Sequence, residues 1–350
     1  MSTPAHLHPS SEDHILASIA TFFPNKHPSV DFGRGDDCAL FHVGHSMAVS
    51  SDLFLENVHF RRSYFTPEDV GYKALAVNLS DLAACGARPV GFTMCLGLPR
   101  DITMSWLEKF FSGMSKLAEK HNMALVGGDL SRSSTLHISI TVFGEISGVS
   151  RFLTRGGSMP GDSIFIVGQL GLAYVGLHAL EHFGVNALTD WPNACQAHLH
   201  PRPYCEAGQV LARAGYNARP PALMDVSDGL LRDLPRLLGL SGELGTSTTD
   251  GTCPGASLSL PLNEIHPEVL RWSHEHHQDP VYTVLLGGED YALLGTCAPD
   301  LLPTLEAAIP EFSCIGKITN NSTITCNGQE LSFVEGFDHF CEHGKESTKL

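Results

Sequence analysis

Thr66-Pro67-Glu68-Asp69-Val70-Gly71-Tyr72-Lys73-Ala74-Leu75-Ala76-Val77-Asn78-Leu79-Ser80-Asp81-Leu82-Ala83-Ala84-Cys85-Gly86 reads as a single helix with both ends marked. Thr66 is a hydroxyl N-cap, Pro67 takes the first helical position, and Glu68 and Asp69 put negative charge in the first turn. Gly86 is a natural stop. In between, Val70, Ala74, Val77 and Leu75, Leu79, Leu82 recur at three- and four-residue spacing. Lys73 reads as an exposed charge on the helix face. Upstream, residues 46–55 form a predicted strand carrying Ser50, Ser51 and Asp52. A strand followed by a helix points to an α/β or α+β architecture.

The alternation continues outward. Leu107, Phe110, Phe111, Met114, Leu117 and Ala118 mark a second amphipathic helix, and Ala124 to Val126 a short strand that runs into a turn at Gly127, Gly128 and Asp129. Ile138, Ile140 and Val142 alternate with polar residues as a half-buried strand does. Gly156, Gly157, Pro160 and Gly161 make the segment 148–162 the expected crossing between two domains, 1–147 and 148–350. A chain of 350 residues exceeds what one core usually organises. Beyond the crossing we expect strand 163–167, helix 172–183, strand 222–226, helix 228–239, strand 281–286 and a strand near 314–318. Residues 241–261, rich in Gly, Ser, Thr and Pro, read as loop.

The formal net charge of −16 disfavours nucleic acid and anionic membrane as partners. No run of the chain approaches the roughly 20 apolar residues of a membrane span, and the polar start lacks the apolar core of a secretory signal. Ten scattered cysteines without a Cys-x-x-Cys pair fit reduced thiols in a cytoplasmic protein.

Several acids sit where a structural role is hard to justify. Asp36 and Asp37 lie in a glycine-flanked segment that reads either as a solvated turn or as part of a site. Asp52 ends an apolar strand. Asp81 lies in the last turn of its helix, where the macrodipole disfavours negative charge, with Asn78 on the same face; a nearby cation would resolve that conflict. Asp129 follows two glycines, a pattern that serves a tight turn or an anion-and-metal site. In Met224-Asp225-Val226-Ser227-Asp228-Gly229-Leu230, capping accounts for Ser227 or Asp228 and leaves Asp225 unexplained in an apolar strand. Leu286-Gly287-Gly288-Glu289-Asp290-Tyr291 repeats the strand, double-glycine and acid arrangement. Converging carboxylates repel one another unless divalent cations enter, and oxygen-only ligands select Mg²⁺. No Gly-x-x-x-x-Gly-Lys-Ser/Thr loop is present, so a nucleotide site here is not of the P-loop type. His274-Glu275-His276-His277 reads as a solvated helix face, and His200-Pro201-Arg202-Pro203 as a turn from which Arg202 can reach a phosphate.

Taken in order, GRGDDCAL (33–40), SSDLFLENVHF (50–60), YKALAVNLSDLAACGA (72–87), VGGDLSRS (126–133), LTRGGSMPGD (153–162), MDVSDGL (224–230), GGEDYALL (287–294), IGKI (315–318) and GFDHF (336–340) resemble the thiamine-monophosphate kinase family. That family sits in the superfamily of aminoimidazole ribonucleotide synthetase and selenophosphate synthetase. The resemblance implies a two-domain aminoimidazole ribonucleotide synthetase-like fold, with N-terminal strands pairing across a homodimer and a C-terminal α/β domain closing over the active site. It implies Mg²⁺ ligands at Asp37, Ser50, Ser51, Asp52, Asp81, Asp129, Asp225 and Asp228, and ATP contacts at Gly128, Asp129, Arg155 and Ser227. His59, Glu289 and Phe337 would contact thiamine monophosphate, and Asp52, Asp81, Asp129 and Arg155 would carry catalysis. Arg34, Asn57 and Leu130-Ser131 depart from the family pattern without removing an implied metal ligand. A sister ATP-dependent activity is the alternative, or a non-catalytic nucleotide sensor. Selenophosphate synthesis and hydrogenase maturation would call for terminal cysteines that neither Met1 to Ser11 nor Lys349-Leu350 supplies.

Overall fold

The computed structural model describes residues 30–32, 39–43, 45–146, 148, 150–214, 219–239 and 254–331. The first sheet is built from β1 (Val30–Phe32), β2 (Ala39–Val43), β3 (His45–Leu55), β4 (Arg88–Leu98), β5 (Ala124–Arg132) and β6 (His137–Ile146), in the order β1-β2-β3-β6-β4-β5. Its pairings are antiparallel except β4 with β5. Helices α1 (Pro67–Ala84) and α2 (Met104–Lys120) pack together beside it.

The second sheet has β7 (Ser163–Val167), β8 (Ala222–Asp225), β9 (Gly255–Leu258), β10 (Leu293–Cys297), β11 (Phe312–Thr319), β12 (Ile324–Cys326) and β13 (Gln329–Glu330) in the order β13-β12-β9-β11-β7-β10-β8. Around it lie α3 (Leu172–Phe183), α4 (Ala187–Asp190), α5 (Pro192–Leu199), α6 (Cys205–Arg213), α7 (Leu230–Leu237), α8 (Pro267–Glu275), α9 (Pro280–Leu286) and α10 (Leu302–Ala308). No helix among the described residues is long and apolar enough to cross a membrane.

The opening stretch forms the expected helix. Thr66 accepts the Asp69 N–H at 3.2 Å, and Asp69 accepts the Thr66 N–H at 2.9 Å, a reciprocal capping box. Its two apolar stripes are both used. The helix packs against β3, β6, β8, α5 and α6, so α1 is buried on nearly every side. The crossing with α2 is close enough that a Cβ at Gly71 would meet the Phe110 carbonyl oxygen at 2.0 Å, which only glycine tolerates.

Three expectations are corrected. Residues 281–286 are helix rather than strand: Asp279 caps it by accepting the Val281 N–H at 2.8 Å, and Pro280 opens it. A six-residue apolar run fits either element, and the Asp-Pro start decides. Residues 255–258, expected as loop, form β9, paired with β11 and β12. Gly127, Gly128 and Asp129 are not a turn but the middle of β5, which continues to Arg132 beside β4 across a register shift at Phe92/Thr93. The remaining part of 241–261, up to residue 253, lies outside the described residues.

Candidate active site

The last turn of α1 joins the two sheets. On one side Ser50 donates to Asp81 at 2.5 Å, and the Asp52 N–H donates to Asn78 Oδ1 at 3.2 Å. On the other side Ser80 donates to Asp225 Oδ2 at 2.6 Å, at the end of β8. No basic residue stands in that last turn, so the negative helix end and Asp81 face each other as expected. Ser51 points to the opposite side of β3, donating to the Ile140 carbonyl at 3.1 Å and sharing a hydrogen bond with Thr141.

Past β8 the chain turns into α7. Neither Ser227 nor Asp228 is the side-chain cap. Asp233 reaches back instead, its Oδ2 accepting the N–H groups of Ser227 (3.1 Å) and Asp228 (3.0 Å). Arg236 Nη1 bridges Asp228 Oδ2 (2.6 Å) and Asp233 Oδ1 (3.0 Å). Burial, then the Asp228 charge, push the Asp233 carboxyl up to about 7 against the pull of Arg236 and Arg155. The effect of Arg155 on both Asp233 and Arg236 brings this predicted ATP contact to the same corner.

The segment after α9 closes the site from the second sheet. The Glu289 N–H donates to the Ser227 carbonyl at 2.7 Å and the Tyr291 N–H to the Val226 carbonyl at 2.9 Å, with left-handed φ of 64° and 50°. Two such non-glycine residues flanking one position store strain at this turn. Glu289 Oε2 receives Lys73 Nζ at 3.0 Å and His198 Nδ1 at 2.9 Å. Lys73 is therefore not an exposed helix charge. It is fully buried, because α1 has no solvent side. Burial pushes the Glu289 carboxyl up, but Lys73 and His198 overcome it and hold the group well below the usual carboxylate range. Burial, then Lys73, lower the His198 imidazole below its ordinary value. Asp290 accepts the N–H groups of Gly171 (2.6 Å) and Ala173 (3.1 Å) at the start of α3.

Tyr291 gathers the cluster. Its phenol is driven well above the ordinary value by burial and by Glu289, Asp52, Asp225 and Asp228, so four carboxylates from β3, β8 and two loops lie within electrostatic reach of one ring. His59 accepts the Leu55 N–H at Nδ1 (3.0 Å), which leaves the ring proton on Nε2 as a donor. Asn57 just before it has φ 66°, a conformation Asn tolerates in place of glycine.

The structure thus brings together Ser50, Asp52, Asp81, Asp225, Ser227, Asp228, Arg155 and Glu289. Gly128 and Asp129 lie elsewhere, on the exposed edge strand β5. Asp129 pairs with Cys95, Cys95 with Ser139 and Ser139 with Leu53, a row three strand spacings, about 14 Å, wide. Asp37 and Phe337 lie outside the described residues. Among the described residues, no three His, Cys, Asp or Glu side chains are close enough to share one metal ion. Arg202 is engaged by Glu311 and lies over Tyr204, and His276 stacks on Trp272 at 3.8 Å. Sequence reasoning missed Lys73, His198, Tyr291, Asp233 and Arg236. Only Lys73 carried a signal, a lone charge between two apolar stripes.

Residues 35–146 match the family described as AIR synthase related protein, N-terminal domain. The chain is 34% identical to the thiamine-monophosphate kinase of Escherichia coli (strain K12) over 336 residues, 92% of this chain and 97% of that one. Against the thiamine-monophosphate kinase of Bacillus subtilis (strain 168) it is 32% identical over 331 residues, 90% and 95% of the two chains. A solved structure of AaThiL complexed with AMPPCP and TMP matches with a TM-score of 0.79 at 28% identity, covering 97% of this chain and 100% of that one. Hydrogenase maturation protein HypE in complex with ATP shares the fold, with a TM-score of 0.64 at 18% identity over 92% and 94% of the two chains. On identity sustained over nine-tenths of its length, this chain belongs to the thiamine-monophosphate kinase family.

Proposed function

We propose that the chain transfers the γ-phosphoryl group of ATP to thiamine monophosphate, giving thiamine diphosphate and ADP. One observation carries this reading from the structure: carboxylates and hydroxyls far apart in sequence meet at the last turn of α1. Such oxygen-only donors suit Mg²⁺, which keeps several waters and takes one or two carboxylates together with substrate phosphates, so a three-acid protein cage is not required. Ser50, Asp52, Asp81, Asp225 and Asp228 would hold it, joined by Asp37. Bound Mg²⁺ supplies charge neutralisation on the phosphates.

The acceptor is a phosphate oxygen already ionised at neutral pH, so no general base is needed. Direct in-line transfer then depends on positioning and charge, with no covalent enzyme intermediate. Arg155 offsets charge on the transferring group, while Ser227 contacts the nucleotide. His59 donates to the acceptor's phosphate, Glu289 takes its cationic portion, and Phe337 stacks on its ring. The division into domains 1–147 and 148–350 belongs to the same reading, as does a homodimer. For the dimer, support comes from β5, an edge strand whose Leu125, Val126 and Leu130 are 54%, 64% and 68% exposed.

Product analysis after incubation with ATP, Mg²⁺ and thiamine monophosphate tests the proposal. We expect equal amounts of thiamine diphosphate and ADP. Equal turnover with unrelated small phosphorylated acceptors would remove the acceptor assignment.

A further inference from the structure

We infer that Lys73 and His198 are positioning residues for the acceptor: they clamp one oxygen of Glu289 so that the other is presented to the acceptor's cationic ring. This rests on the function proposed above. Three elements from both halves of the molecule meet at a single carboxylate oxygen. Lys73 comes from α1, His198 from α5 and Glu289 from the turn after α9. Both contacts fall on Oε2, and Oε1 has no hydrogen-bond partner among the described residues. Lys73 and His198 are fully buried, whereas the Glu289 side chain is 24% exposed.

The arrangement is poorly explained as packing alone. A buried ion pair adds little stability over apolar side chains of similar volume. With Nδ1–H given to Glu289, His198 Nε2 is the lone-pair nitrogen, and it is buried without a hydrogen-bond partner among the described residues. The imidazole's polar contacts all fall within this cluster, its Nδ1 lying 2.9 Å from Glu289 Oε2 and 3.3 Å from Lys73 Nζ. Phe65 holds both clamping groups, its ring meeting the His198 ring edge-on at 5.6 Å and lying 5.6 Å below Lys73 Nζ. The Glu289 backbone is held too, left-handed and tied to the Ser227 carbonyl. A carboxylate fixed at one oxygen and at its backbone offers the other as a fixed acceptor for a cation or an N–H donor.

Steady-state kinetics with each substrate varied separately test this. Lys73→Met is expected to raise KM for thiamine monophosphate about tenfold or more, the weight of one charge-assisted contact, with KM for ATP within about twofold. His198→Phe should move the same constant in the same direction. His198→Asn, whose amide can replace the Nδ1–H donor, should recover most of the loss. Should Lys73→Met fail to fold, the double variant Lys73→Met/Glu289→Gln removes both charges together. Its KM for the acceptor should equal that of Glu289→Gln alone. Acceptor KM unchanged in the single variants, both substrates' KM rising together, or additive effects in the double variant would each overturn the inference. Wild-type protein that makes no thiamine diphosphate would instead sink the functional reading.

Discussion

Two sets of carboxylates meet at the junction of the sheets, and their partners differ. Asp81 and Asp225 are approached by the hydroxyls of Ser50 and Ser80. Glu289, Asp228 and Asp233 are approached by the cations of Lys73 and Arg236. A hydroxyl orients a carboxylate without neutralising it, whereas a cation offsets part of its charge. The hydroxyl contacts orient the first set, and the cations fix the geometry of the second.

The largest expected effect separates these roles. Asp81→Asn or Asp225→Asn should lower turnover by roughly a hundredfold or more, since the serine hydroxyl still finds an amide oxygen while the charge is gone. Thermal unfolding should barely move, and near-normal turnover in both variants would break the contrast. Next comes Asp233→Ala, which leaves the Ser227 and Asp228 N–H groups without their acceptor and strips Arg236 of one partner. About 3 kcal/mol of stability should be lost in denaturant titration.

The cation-partnered set also divides by pH. Glu289 is depressed in the fold, so its stabilisation is complete above the ordinary Glu value and is lost as acid is added below it. Asp233 is raised to about 7, so the fold gains stability as pH falls through that value toward the ordinary Asp range. Unfolding midpoints against pH should show wild type gaining on Asp233→Asn from pH 7 downward. The advantage of wild type over Lys73→Met should shrink on acidification. Parallel pH profiles for the two variants would contradict the assignment. The smallest effect is a control outside both sets: Thr66→Ala, which breaks the α1 capping box, should cost about 1 kcal/mol in thermal unfolding with acceptor KM unchanged.

Much of this was legible before any coordinates. The ends of α1 follow from Thr66, Pro67 and Gly86, because capping is local chemistry. Convergence of Asp52, Asp81 and Asp225 followed from charges that made no sense apart. What stayed hidden depends on partners distant in the chain. The clamp on Glu289 spans 216 residues from Lys73, and no spacing rule reaches that far. Asp233 caps backward from inside its helix, whereas the capping templates look for the acceptor at the helix entry. The row holding Asp129 is a matter of register across β4, β6 and β3, and a strand cannot announce its register alone.

The burial of α1 on both sides has a consequence for how the protein comes apart. Neither sheet owns a complete core, since each uses one flank of the same helix. Melting one half strips hydrophobic cover from the other, so the two halves form a single cooperative unfolding unit.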